Sequence, residues 1–91
     1  MHKTELAEFV AQQTDLPKAK ANDIVAVIFE EITNALSRDE SVNLVGFGSF
    51  SQRRRAARTG RSPKTGEAID IPASNSVGFK AGKALKDAVN P

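Results

Sequence analysis

Positions 53–66 hold six basic residues and no acidic one: Arg53, Arg54, Arg55, Arg58, Arg61 and Lys64. Charge of one sign at this density has no internal partner and calls for an external polyanion, nucleic acid first among them. Five guanidinium groups to one ammonium suit bidentate phosphate contact and entry into a narrow minor groove. Between Gly60 and Gly66 stands one stiff apolar residue, Pro63. Its place in Ser62-Pro63-Lys64-Thr65-Gly66 fits an ordinary turn. It fits a wedge driven between base steps equally well. A run of charge is more often just a solvated loop. Here the length of the run and its self-repulsion argue against that reading.

Other chemistry finds little support. Gly46-Phe47-Gly48 lacks a third glycine and precedes a strand pattern, so it is not a dinucleotide loop. No Gly-Lys-Ser/Thr closes the Gly60–Gly66 stretch as a phosphate-binding loop would require. Cysteine is absent, His2 is the single histidine, and no nucleophile has a base beside it. Neither an enzyme, nor a metal site, nor a cofactor is expected. A helix-turn-helix reader is also disfavoured. The second helical pattern carries Asp23, Glu30 and Glu31, and a helix lying in a groove should not offer carboxylates to phosphates.

The charge is unevenly spread. Residues 1–43 hold four basic residues against eight acidic, residues 44–91 nine against three, within a net charge of +2. Apolar Leu6, Phe9 and Val10 share one face of a first helix, with Glu5 near the start where the dipole favours an acid. Pro17 then suits the first turn of a second helix. In that helix Ala21, Ile24, Val25, Ile28, Phe29, Ile32, Ala35 and Leu36 follow the 3.6-residue period, in a stripe wide enough for more than one neighbour. Val42 and Leu44 alternate with polar residues as a half-buried strand does, and Ser49-Phe50-Ser51-Gln52 begins a second strand. Ile69, Ile71 and Ala73 form a third, with Pro72 at an edge or bulge. Ala81, Ala84, Leu85, Ala88 and Val89 predict a closing helix, with Lys80, Lys83 and Lys86 along its outer side.

The expected fold is therefore α+β: a helical hairpin, a three-stranded antiparallel sheet drawn out into a long β-ribbon arm, and a short C-terminal helix. One domain over 1–91 divides into a helical hairpin (1–38), a sheet body (41–52 and 69–77), an arm (53–68) and a closing helix (79–90). At ~3.3 Å per residue the hairpin from Arg53 to Ala73 reaches about 30 Å. A chain of 91 residues buries only about 60–65% of its unfolded surface. With neither disulfides nor metal to help, a core shared across a two-fold axis is the remedy expected. The N-terminus lacks the apolar core of a signal peptide. The longest apolar run, residues 24–29, is far short of the ~20 residues of a membrane span. A soluble, cytoplasmic protein is expected.

With these residues assembled, the chain resembles the bacterial histone-like HU family, which includes integration host factor. The likeness runs the whole length. It is most specific in Gly46-Phe47-Gly48-Ser49-Phe50, in Arg55-Ala56-Ala57-Arg58-Thr59-Gly60-Arg61-Ser62-Pro63-Lys64-Thr65-Gly66, and in Phe79-Lys80-Ala81-Gly82-Lys83-Ala84-Leu85-Lys86. The resemblance implies an intertwined homodimer whose two arms wrap the minor groove of double-stranded DNA. Such a protein bends and compacts DNA with little sequence preference in the nucleoid. By the same resemblance Pro63 is the intercalating residue, and Arg53, Arg55, Arg58, Arg61 and Lys64 are the arm contacts. Lys3, Lys80, Lys83 and Lys86 are the body contacts. Phe47, Phe50 and Phe79, with Ile32, Leu36 and Leu44, form the dimer core. A heterodimer with a paralogue, a sequence-specific subunit like that of integration host factor, and RNA as a second ligand all remain compatible with the same residues. So does an anionic lipid surface. Three positions depart from the family pattern: Ser62 where Asn is usual, Gln52 for an aliphatic residue, and Val77 for a common Pro.

Overall fold

The computed structural model describes residues 1–91. Its elements are α1 (Lys3–Thr14), α2 (Lys18–Ser37), β1 (Val42–Leu44), β2 (Gly48–Arg55), β3 (Arg58–Arg61), β4 (Ala68–Ile71), β5 (Ser74–Ala81) and α3 (Lys83–Val89). Two compact units result, Met1–Ala35 and Leu36–Pro91.

In the first unit α1 starts at His2, whose carbonyl accepts the Leu6 N–H at 3.0 Å. The helix stops where Asp15 adopts the left-handed conformation, φ 56°, and Leu16 N–H turns back to the Ala11 carbonyl at 3.2 Å. The Ala11 carbonyl also accepts the Asp15 N–H, so two backbone donors converge on it and close the helix end. Pro17 lies one residue before α2 and lends its carbonyl to the Ala21 N–H at 3.0 Å. Lacking an N–H costs it nothing there. Ala7, Ala21 and Val25 are the buried residues of this unit, small enough to let two helices come close. An ion pair between Lys18 Nζ and Glu8 Oε1 at 3.0 Å links α1 to the start of α2. It is exposed and of small worth. The large apolar residues are another matter. Phe9, Val27, Ile28 and Phe29 all stay exposed, so the wide stripe of α2 finds only part of its cover within one chain.

In the second unit β1, β2 and β5 form an antiparallel sheet in that spatial order. A four-residue turn joins β1 to β2. Phe47 N–H donates to the Leu44 carbonyl at 2.9 Å, and Gly46 takes φ 86° at the third place of the turn, where a side chain would be strained. β2 pairs with β5 from Gly48↔Ala81 to Arg55↔Ser74. β3 and β4 make a separate two-stranded ribbon, Arg58↔Ile71 to Arg61↔Ala68.

The boundaries differ from expectation in three places. Ile69–Ile71, expected in the body sheet, pair with Arg58–Gly60 in the ribbon. The body strand begins only at Ser74, because Pro72 has no N–H to give a ladder. Arg53–Arg55, expected in the arm, still pair with Ser74–Ser76 of the three-stranded sheet. The closing helix, expected from residue 79, starts at Lys83, since Phe79, Lys80 and Ala81 continue β5. Gly82 marks the change. Its N–H donates to the Phe47 carbonyl at 2.8 Å, and its own carbonyl accepts Lys86 N–H at 3.0 Å as the first bond of α3.

Candidate nucleic-acid interface

Strand alternation gives the sheet two unlike faces. From the register, one face carries Phe50, Gln52 and Arg54 of β2 opposite Phe79, Val77 and Asn75 of β5. The other carries Ser49, Ser51, Arg53 and Arg55 opposite Lys80, Gly78, Ser76 and Ser74. This second face has hydroxyls and cations, no carboxylate and no large apolar group. Such a surface offers donors of the kind phosphate oxygens accept from.

The first face is aromatic near its centre. The Phe50 and Phe79 rings lie 4.7 Å apart and those of Phe47 and Phe79 5.5 Å apart, both tilted by 48°. Spacing and tilt are those of favourable ring pairs. Yet Phe47 is 46% exposed and Phe79 41%. Leu44 is exposed as well, Ile32 and Phe50 are half-buried, and Leu36 alone of the six expected dimer-core residues is already buried.

The ribbon carries Arg58 and Arg61 on β3, with Pro63 and Lys64 in its tip, all exposed. The tip is closed by its own hydrogen bonds. Ser62 N–H donates to the Glu67 carbonyl at 2.8 Å and Gly66 N–H to the Ser62 carbonyl at 2.9 Å. Gly66 turns with φ 73°. The Ser62 hydroxyl accepts from Lys64 N–H at 3.4 Å. A short polar side chain before proline is suited to this local turn. Pro63 rides at the end of a braced loop. Arg61 Nη1 adds a long bond of 3.4 Å to the Gly66 carbonyl.

None of Arg53, Arg54, Arg55, Arg58, Arg61, Lys64, Lys80 or Lys86 forms an ion pair, and neither does Lys3 at the head of α1. Lys83 differs, sitting 3.6 Å from Asp87 one turn along α3. Arg53, Arg55 and Lys80 share the polar sheet face, Arg58 to Lys64 belong to the ribbon, and Lys83 and Lys86 lie on α3. Lys3 belongs to the other unit. Arg54 lies outside the expected contacts. It is exposed and unpaired, and strict alternation from Arg53 and Arg55 would have marked it as the cation of the opposite face. No three His, Asp or Glu side chains converge as a metal site would need, and no helix is long and apolar enough to cross a membrane.

Comparison with known proteins gives a consistent result. Residues 1–90 match the family model described as bacterial DNA-binding protein. The DNA-binding protein HU-alpha of Pseudomonas aeruginosa is 56% identical over 90 residues, covering 99% of this chain and 100% of that protein. DNA-binding protein HU of Staphylococcus aureus is 57% identical over 89 residues, covering 98% and 99%. Among solved structures, an Anabaena HU–DNA cocrystal structure superposes with a TM-score of 0.90 at 43% identity, over 100% of this chain and 99% of that one. HU from Thermotoga maritima gives 0.67 at 34% identity, over 98% of each.

Proposed function

This chain belongs to the bacterial DNA-binding protein family that includes HU, and we propose that it binds, bends and compacts double-stranded DNA as a dimer. One observation carries the reading: the ribbon and sheet face expose a set of cations with no ion pair among them. Phosphate neutralisation then supplies affinity with little sequence preference, since charge contacts position a protein without reading bases. Arg58, Arg61 and Lys64 act from the ribbon, Arg53, Arg55 and Lys80 from the sheet face at its root, and Lys3, Lys83 and Lys86 from the helices. Pro63 enters the minor groove as a wedge, the mode known for HU and integration host factor, the family to which this chain belongs. The protein is not an enzyme in this reading, and it works in the cytoplasm on the nucleoid.

The dimer follows from what a single chain leaves uncovered. Phe47, Phe79 and Leu44 in one unit, and Val27, Ile28 and Phe29 in the other, are large apolar residues left exposed, the kind of surface that marks an interaction site. A second copy supplies the missing cover, and the further residues assigned to the dimer core are the half-buried Ile32 in the first unit and the half-buried Phe50 and buried Leu36 in the second. Pairing with a paralogue is open to the same surface.

Bending requires deformation, and a nick or gap lowers its cost. Nicked or gapped duplexes are therefore bound more tightly than intact ones. Titrating a duplex and its singly nicked twin at matched salt tests this. Tighter binding of the nicked form supports the bending mechanism, and equal affinity contradicts it.

A further inference from the structure

Gly78 lies on the polar, cationic face of the sheet, where its neighbours Ser74 and Lys80 are exposed, yet Gly78 itself is buried. Its nearest cover is the Arg53 side chain. A Cβ placed on Gly78 would fall 2.5 Å from Arg53 Cζ and 2.7 Å from Arg53 Nη2, with Nε nearer still. The guanidinium of Arg53 thus occupies the space that any other residue at 78 would fill. It does so diagonally, since Arg53 is directly opposite Ser76 and Gly78 opposite Ser51.

We propose that Gly78 is a positioning residue: it provides a seat that lays the Arg53 guanidinium flat on the sheet face, ready for a backbone phosphate at the root of the arm. The proposal rests on the DNA-binding reading above. A long arginine normally loses rotamer freedom when it meets a phosphate, and that loss weakens binding. An arginine already seated has lost it beforehand. Arg54 cannot share this seat, being on the opposite face, and Arg55 is two residues further towards the arm, opposite Ser74 rather than beside a glycine. Planarity matters too. A guanidinium lies flat over a bare α-carbon while its edge still donates outward, which a rounded ammonium does less well.

The obstacle that Gly78→Ala would raise is the far end of a flexible side chain, not backbone. The arginine head moves and the strand stays. Because alanine is also the better strand residue, Gly78→Ala should melt no lower than wild type while binding DNA less well. Those opposite signs separate a positioning role from a structural one.

The test is a double-mutant cycle with purified full-length dimer and a fluorescent duplex at fixed salt. Gly78→Ala should weaken binding about 2- to 12-fold per protomer, the span of ordering one rotamer-rich side chain at an interface. Arg53→Ala should weaken it at least as much, and adding Gly78→Ala to Arg53→Ala should change nothing further. Equal losses in both backgrounds, or none in either, would overturn the proposal. A second measurement needs no variant: in free wild-type protein the Arg53 Nε–Hε heteronuclear NOE should exceed those of Arg54 and Arg55. Three equal values would overturn the seat on their own. Failure of wild type to bind any duplex would instead remove the DNA reading, while the NOE still judged the seat.

Discussion

The side-chain amide of Gln52 donates to the backbone carbonyl of Leu36 at 3.1 Å. That carbonyl belongs to the last turn of α2, where helices leave acceptors unpaired, and it also receives the Asp39 N–H at 3.1 Å. An amide at a position where aliphatic residues are usual in this family thus has a definite partner. Gln52→Ala should cost about 0.5–1.5 kcal/mol, the net worth of such a bond. Because Asp39 still satisfies the carbonyl, no buried acceptor is stranded. Gln52→Leu should recover part of the loss on the face it shares with Phe50 and Val77. Urea unfolding at one fixed protein concentration reads both, since the stability of a dimer depends on concentration.

Binding should weaken steeply with salt. Each phosphate neutralised contributes about −0.9 to the slope of log K against log salt. Arg55→Ala, Arg58→Ala and Arg61→Ala should each flatten the slope by about one unit for every phosphate left without its cation. Arg54→Ala probes the unpaired cation of the opposite sheet face, and a flattened slope there would add it to the contact set. Fluorescence titrations at four or five salt concentrations suffice.

Phe79 touches both other rings of the aromatic cluster and is still 41% exposed in one chain. If a second chain covers it, Phe79→Ala should cost about 3–5 kcal/mol, the range for deleting a buried phenyl. Sedimentation equilibrium should show wild type as a dimer and the variant dissociating at micromolar concentration. A variant as dimeric as wild type would place the interface elsewhere.

Gly48 gives a stability prediction without DNA. A Cβ there would lie 2.6 Å from the Lys80 carbonyl oxygen and from the Phe79 ring. Backbone cannot swing aside as an arginine head can. Gly48→Ala should lower the thermal midpoint, in contrast to Gly78→Ala, when the two are compared by circular dichroism.

The helices were legible in the sequence because their period is long and repeated, as in the stripe from Ala21 to Leu36. The arm was legible because its charge has no other use. What periodicity missed lies where two patterns overlap. Phe79, Lys80 and Ala81 fit the first turn of a helix as well as the end of a strand, and only pairing with Gly48–Phe50 decides between them. The break between sheet and ribbon was half visible in Pro72. Its counterpart at Ala56-Ala57 carries no signal of its own, since alanine is at home in either state. The Ser62 hydroxyl bond to Lys64 and the Arg53 seat on Gly78 depend on side-chain direction, which spacing does not encode.

Two arms that bend a duplex, with Pro63 as the wedge, define the proposed action of this protein. Its most direct test is single-molecule energy transfer across a short duplex labelled at both ends, bound by wild type and by Pro63→Ala. Wild type should bring the ends markedly closer, and Pro63→Ala should restore most of the distance while binding nearly as tightly. A wild-type complex in which the DNA stays straight would contradict the bending mechanism, and an equal bend by both proteins would remove Pro63 from it.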